Sequence, residues 1–161
     1  KASIKSIEKE IQSYELIFNT GNQTLDVIFT DRMQETKNKN ITLHIHADGQ
    51  GWESISDIDI ATIFGNALDN AIENVEKIDD PSMRLIDVRI GKVNEMLIAR
   101  FENPFTHKIE RNQSRFLSTK KNPENHGYGL QSIRMIVEKY EGEMDIKTED
   151  GVFILTVIIP A

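Results

Sequence analysis

The chain has 161 residues, a net charge of −7, no cysteine, and 39% hydrophobic and 28% charged residues. This is the composition of a globular protein long enough for one domain with a real core. It excludes disulfide frameworks, thiolate metal sites and cysteine nucleophiles, and the lack of any Lys/Arg-rich block argues against nucleic-acid binding. No apolar run nears the roughly 20 residues of a membrane span, and no signal peptide is visible. The chain opens on Lys1 and is read as a piece of a longer protein. An acidic chain that binds an anionic ligand needs local positive charge, helix N-termini or a metal.

Residues 1–18 carry Ile4, Ile7, Ile11, Leu16 and Ile17 among Lys, Glu and Ser, the pattern of an amphipathic helix. It is either the tail of an upstream helix or the first helix of the domain. Thr20-Gly21-Asn22 ends it. A second helix fits Gln23 to about Lys37, with Leu25, Ile28, Phe29 and Met33 inward, and Asn38-Lys39-Asn40 closes it. Ile41 to His46 alternates and reads as a strand. His44 and His46 share one face of it. Two histidines at that spacing can bind a metal, but an exposed polar strand face is the better reading without a third ligand. Gly49-Gln50-Gly51 is a turn, Trp52 and Ile55 are core, and Ser56 or Asp57 can cap the next helix.

That helix runs from Ile58 to Val75. Ala61, Phe64, Leu68, Ile72 and Val75 form its apolar stripe. Asn66, Asp69, Asn70 and Glu73 fall on the other side, at about 100° per residue. Asn is a mediocre helix former because its amide competes for backbone groups. A row of such oxygens is either a solvated face or a place for Mg²⁺, which takes few protein ligands and keeps waters for a phosphate chain.

Asp79 to Ser82 is a loop, and 85–93 and 96–101 are strands joined at Asn94-Glu95. Residues 103–126 have almost no period and contain Pro104 and Pro123. A loop of that length is uncommon and usually functional or disordered, and it is expected to be mobile without a ligand. Gly127-Tyr128-Gly129-Leu130 then opens a helix to Tyr140, with Leu130, Ile133, Ile136, Val137 and Tyr140 inward. Glycines there allow close backbone approach, and free N–H groups at a helix start attract phosphate, although a Gly-x-Gly alone is commonly just a turn. Residues 144–147 and 152–159 close the chain as a hairpin. This order predicts an α/β sandwich: one mixed, mostly antiparallel sheet covered on one face by helices.

Asn66-x-x-x-Asn70-Ala71 resembles the N box, and His126-Gly127-Tyr128-Gly129-Leu130-Gln131-Ser132-Ile133 the second glycine box, of the catalytic ATP-binding domain of sensor histidine kinases. That group shares the Bergerat (GHKL) ATP-binding fold with gyrase. Gly151-Val152-Phe153 and Ile159-Pro160 are similar to its terminal strand. Leu68 to Glu73 together with His126 to Leu130 looks closer still to quorum-sensing peptide-receptor kinases of the accessory-gene-regulator type. The resemblance implies residues 1–20 as the end of an upstream helix or linker and 21–161 as the catalytic domain. It implies ATP and Mg²⁺ as cofactors and a histidine on an upstream dimerisation domain as acceptor. It further implies a response regulator as partner, a homodimeric full-length protein, and a cytoplasmic domain of a membrane-anchored receptor. None of His44, His46, His107 or His126 sits in a helical acceptor context.

On that resemblance Asn70 would hold Mg²⁺, and Asn66 would orient the γ-phosphate or a metal-bound water. His126, Gly127, Tyr128, Gly129 and Leu130 would close on the nucleotide. Two departures stand out. The family's first glycine box is absent; the strand instead ends Phe101-Glu102-Asn103-Pro104-Phe105, which makes Asn103 the candidate for the adenine amino group. Glu73 replaces the usual Lys or Arg, so Lys120 or Lys121 is expected to reach phosphate, with a solvated charge pair as the alternative. Two rivals remain at this point: an anti-sigma-factor-type protein-serine kinase, and a nucleotide-binding interaction module without transfer activity.

Overall fold

The computed structural model describes residues 16–106 and 127–161. The expectations for the first helix, the loop from residue 107, Lys120, Lys121 and His126 lie outside the described residues.

Helix α1, Gln23–Asn38, begins where the Asn22 side chain accepts the backbone N–H of Leu25. It buries Leu25 and Phe29, with Ile28 and Met33 partly covered. Buried Asp26 accepts from the Thr20 backbone at 2.8 Å and the Thr20 hydroxyl at 2.7 Å. Helix α2, Asp57–Glu76, is capped by Ser56, whose hydroxyl accepts from Asp59 N–H. Asp57 and Asp59 in its first turn suit the positive end of the helix dipole. Helix α3, Gly127–Lys139, starts at the first glycine of its motif, so Gly127 to Gly129 form its first turn rather than a loop before it.

The strands are β1 (Thr42–Ala47), β2 (Leu85–Val93), β3 (Met96–Pro104), β4 (Glu143–Glu149) and β5 (Val152–Pro160). Their order is β1-β2-β3-β5-β4. Among the described residues only the β1–β2 pairing is parallel, so the sheet is mixed and mostly antiparallel, as the element order predicts. Asp150 and Gly151 both take positive φ in the tight turn between β4 and β5.

One face of the sheet carries Ile86, Val88, Ile90, Leu97, Ala99, Phe101, Phe153, Leu155, Val157 and Ile159, all buried. The helices lie on that face. Phe64 of α2 touches Phe29 of α1, Trp52, and Phe101 of β3, with ring centroids 5.2 to 6.0 Å apart. These contacts fix α2 between α1 and the central strands, and α3 packs along its other flank. No helix among the described residues is long and apolar enough to cross a membrane.

Two expectations need correction. Ala61 is exposed; the buried stripe of α2 is Ile60, Ile63, Phe64, Ala67, Leu68, Ala71, Ile72 and Val75. At about 100° per residue Ala61 falls between Leu68 and Ile72, within the buried arc, so the period alone points it inward. It is exposed because it lies near the N-terminal end of the helix. Strand β3 also continues past residue 101, with Asn103 opposite Phe153 and Pro104 opposite Val152. Pro104 is tolerated because it is the strand's last residue.

Candidate functional site

Three elements converge at the middle of α2. The Asn66 amide donates to the Thr62 carbonyl one turn back at 2.8 Å, which turns its oxygen outward. A β-carbon on Gly129 would lie 3.3 Å from that Oδ1. The spacing is tighter than ordinary van der Waals contact, so glycine is what lets the first turn of α3 sit against the Asn side chain. Gly127, in the same turn, is buried, while Tyr128 is exposed and Leu130 points into the core. Of Gly127 to Leu130, the backbone of this turn and the Tyr128 side chain are therefore what can face a ligand. Asn70 lies one turn beyond Asn66 and is half-buried.

Strand β3 supplies the third wall. Asn103 follows Phe101 by two residues on the helix-facing side and is only 2% exposed. Its Nδ2 donates to the Pro104 carbonyl at 2.9 Å. That bond fixes the amide with its oxygen as the remaining group, and Oδ1 is buried with no hydrogen-bond partner among the described residues. A buried amide oxygen left unpaired costs about 1–3 kcal/mol, so it is an acceptor that a donor on a ligand can fill. The Phe105 N–H, donating to the Gly151 carbonyl at 3.0 Å, anchors the end of this wall to the β4–β5 turn.

The polar row on α2 does not act as one surface. Asp69 faces α1, where Arg32 Nη2 meets its carboxylate at 3.0 Å. Desolvation in that cleft nevertheless pushes the Asp69 carboxyl above its usual value, against the pull of Arg32. Glu73 is half-buried. The structure thus brings together Asn66 and Gly129, places Asn70 on the same face and Asn103 on the adjoining strand, and directs Asp69 elsewhere. His44 and His46 are exposed on the opposite face of the sheet.

Sequence reasoning missed the group that ties the ends of α2 and α3. Asp59, 4% exposed, accepts from the Tyr140 hydroxyl and from Lys139 Nζ at 2.9 Å. The Tyr140 oxygen in turn accepts the Ser56 backbone N–H at 3.2 Å. The Tyr140 hydroxyl first, then Lys139, holds the Asp59 carboxyl below the usual carboxylate range despite burial. Eighty-one residues separate Asp59 from Tyr140, and the only sequence signal was the polar tip of an otherwise inward Tyr140.

The donor set fits a magnesium nucleotide. Among the described residues no three His, Asp or Glu side chains gather as a metal cage. A cation here would therefore rest on one or two amide oxygens and on ligand phosphates, which is how Mg²⁺ is commonly held beside a polyphosphate. The unpaired Asn103 oxygen suits an exocyclic amino group.

Residues 55–160 match the family model of the GHKL domain. No match was found among curated protein sequences. Among solved structures, the nucleotide-free catalytic domain of histidine kinase ThkA superposes with a TM-score of 0.67 at 15% identity, covering 88% of this chain and 93% of that one. Acinetobacter baumannii histidine kinase AdeS gives 0.60 at 14% identity, covering 94% of this chain and 71% of that one. Those likenesses establish the shared fold, and the match over 55–160 establishes the family: this chain belongs to the GHKL domain family, in the architecture of histidine-kinase catalytic domains.

Proposed function

We propose that this chain is the ATP-binding catalytic domain of a sensor histidine kinase, transferring the γ-phosphoryl of MgATP to a histidine on an upstream dimerisation helix. The observation that carries the reading is the Asn103 amide oxygen, buried and unpartnered among the described residues, on the strand whose Phe101 packs against Phe64 of the N-box helix. It is the acceptor that an adenine amino group requires. Asn66 and the close first turn of α3 supply a polar amide and backbone N–H groups to the phosphate end. Asn70 would hold Mg²⁺, which would neutralise phosphate charge. Phosphoryl transfer asks the protein mainly for positioning and charge neutralisation. An imidazole nitrogen of the acceptor attacks the γ-phosphorus, the bond to the β–γ bridging oxygen breaks, and ADP leaves with that electron pair.

The motif pairing of 68–73 with 126–130 supports a peptide-receptor kinase in quorum sensing, acting through a response regulator from a membrane-anchored homodimer. The test is titration of the chain with ATP in the presence and absence of Mg²⁺, followed by transfer of labelled phosphoryl to a supplied histidine-bearing helical domain. Mg²⁺-dependent binding with acid-labile labelling of that histidine is expected. Binding without labelling of any supplied acceptor helix would leave a nucleotide module and overturn the kinase reading.

A further inference from the structure

We propose that Asp59 and Tyr140 form a clamp that sets the gap between α2 and α3, and through that gap the nucleotide affinity at the far end of the helix pair. This rests on the nucleotide-binding reading above.

The two helices run antiparallel. The N-terminal turn of α2 meets the residue that follows α3, through Asp59 and Tyr140. About two turns further along α2, Asn66 meets Gly129 in the opening turn of α3. Between those contacts the interface is filled by buried Ile63 and Ala67 on one side and Leu130, Ile133 and Val137 on the other. Such an interior is close-packed and transmits a displacement rather than absorbing it. The distance at the Gly129 end is already short enough that one β-carbon would press on Asn66.

The polar end is built with more groups than packing needs. Tyr140 oxygen accepts from Ser56 N–H and donates to Asp59, so one hydroxyl joins the end of α3 both to the cap of α2 and to its first turn. Lys139 adds a second donor on the same carboxylate oxygen, but its side chain stays 60% exposed and contributes a weaker tether. A buried carboxylate is rarely the most stabilising choice for such a place; well-packed apolar residues commonly do as well or better. What directional bonds add is a defined separation. Asp59 and Tyr140 are positioning residues: they lie two to three helical turns from the Asn66–Gly129 contact and act on it only through the helices.

The test is a double-mutant cycle in the whole chain. Tyr140→Phe removes one oxygen and keeps the ring; Gly129→Ala adds the β-carbon at the narrow end. Affinity for a non-hydrolysable ATP analogue with Mg²⁺ is measured by calorimetry, at a temperature where circular dichroism shows each variant fully folded. Tyr140→Phe should raise Kd severalfold and Gly129→Ala should raise it more. In combination the rise should be well short of the product, because a loosened clamp lets α3 step back from Asn66 and accommodate the alanine. Asp59→Asn, of nearly unchanged volume, repeats the cycle should Tyr140→Phe fold poorly. Wild-type affinity in a folded Tyr140→Phe, or effects that simply multiply, overturns the clamp while leaving nucleotide binding intact. A wild-type chain that binds no MgATP overturns the nucleotide reading, and the clamp's role in affinity with it.

Discussion

His44 and His46 on β1 and Asn66 and Asn70 on α2 are both polar pairs that repeat at the period of their own element. On β1 the pair stands on an edge strand, facing away from the helices, and its neighbours across the β1–β2 pairing are Asp87 and Arg89. Arg89 comes within 3.6 Å of Asp87 Oδ2, and although Asp87 Oδ1 is itself buried without a hydrogen-bond partner among the described residues, no described helix packs against this face. On α2 two other elements arrive. Helix α3 brings Gly129 against Asn66, and β3 brings the Asn103 oxygen, unpaired among the described residues. Periodicity puts polar groups on one face; a site requires that separate parts of the chain converge on that face with unmet hydrogen-bonding demands.

The largest effect is expected where the α2 pair would meet metal. Asn70→Ala should abolish Mg²⁺-dependent nucleotide binding and leave the fold intact, since Asn70 lies outside the buried stripe of α2. Calorimetry with and without Mg²⁺ reads this directly. Unchanged MgATP affinity in a folded variant would remove the metal role and reduce the α2 pair to the standing of the β1 pair.

Next in size is the β3 wall. Asn103→Ala should cost about 1–3 kcal/mol in ATP affinity, the penalty for leaving a buried donor unsatisfied. The loss should be smaller for GTP, whose base presents a carbonyl where adenine has an amino group. Equal losses for the two nucleotides would show that Asn103 does not read the base.

The fold and the site were not equally legible. Alternation and 3.6-residue periods locate the described strands and α-helices to within a few residues, because burial on one face is written into those periods; the short 3₁₀ helices Trp52–Ser54 and Pro81–Met83 carry no such period. Asn66, Asn70 and the glycine turn were visible as short local motifs. The helical period points Ala61 inward between Leu68 and Ile72, but period does not report where along the helix the packing begins, and Ala61 is exposed near its start. The local pattern of β3 ends at Phe101, whereas the pairing with β5 carries the strand to Pro104. The bond from Arg32 to Asp69 and that from Tyr140 to Asp59 join residues far apart in the chain. Neither has any local signal.

The Asp59 contact offers a smaller, pH-dependent test of convergence on α2. Its folded carboxyl is held below the ordinary value of 3.8, chiefly by the Tyr140 hydroxyl. As acid is added, the unfolded chain therefore takes up the proton first. The stabilisation is complete above the ordinary carboxylate range and disappears as pH falls through the lower folded value. Asp59→Asn should be less stable than wild type at neutral pH, and urea titrations should show the gap closing in strong acid. A gap that stays constant would mean that the carboxylate's charge contributes nothing to joining α2 and α3.

The smallest effect is expected on β1, and it is the most direct check on what separates the two polar pairs. His44→Ala with His46→Ala removes two exposed side chains from an edge strand whose inward residues, Leu43 and Ile45, are untouched. Surface substitutions of this kind usually stay within about 0.5 kcal/mol. The contact between Asp87 and Arg89 involves neither histidine and is kept. Stability by urea denaturation and MgATP affinity should both match wild type. A clear loss of nucleotide affinity would require coupling through the sheet to its opposite face, where the helices lie, and would place the β1 histidines in the working machinery after all. A loss of stability of several kcal/mol, with affinity unchanged, would instead mean that the open face of the sheet is held by these side chains more firmly than their exposure implies.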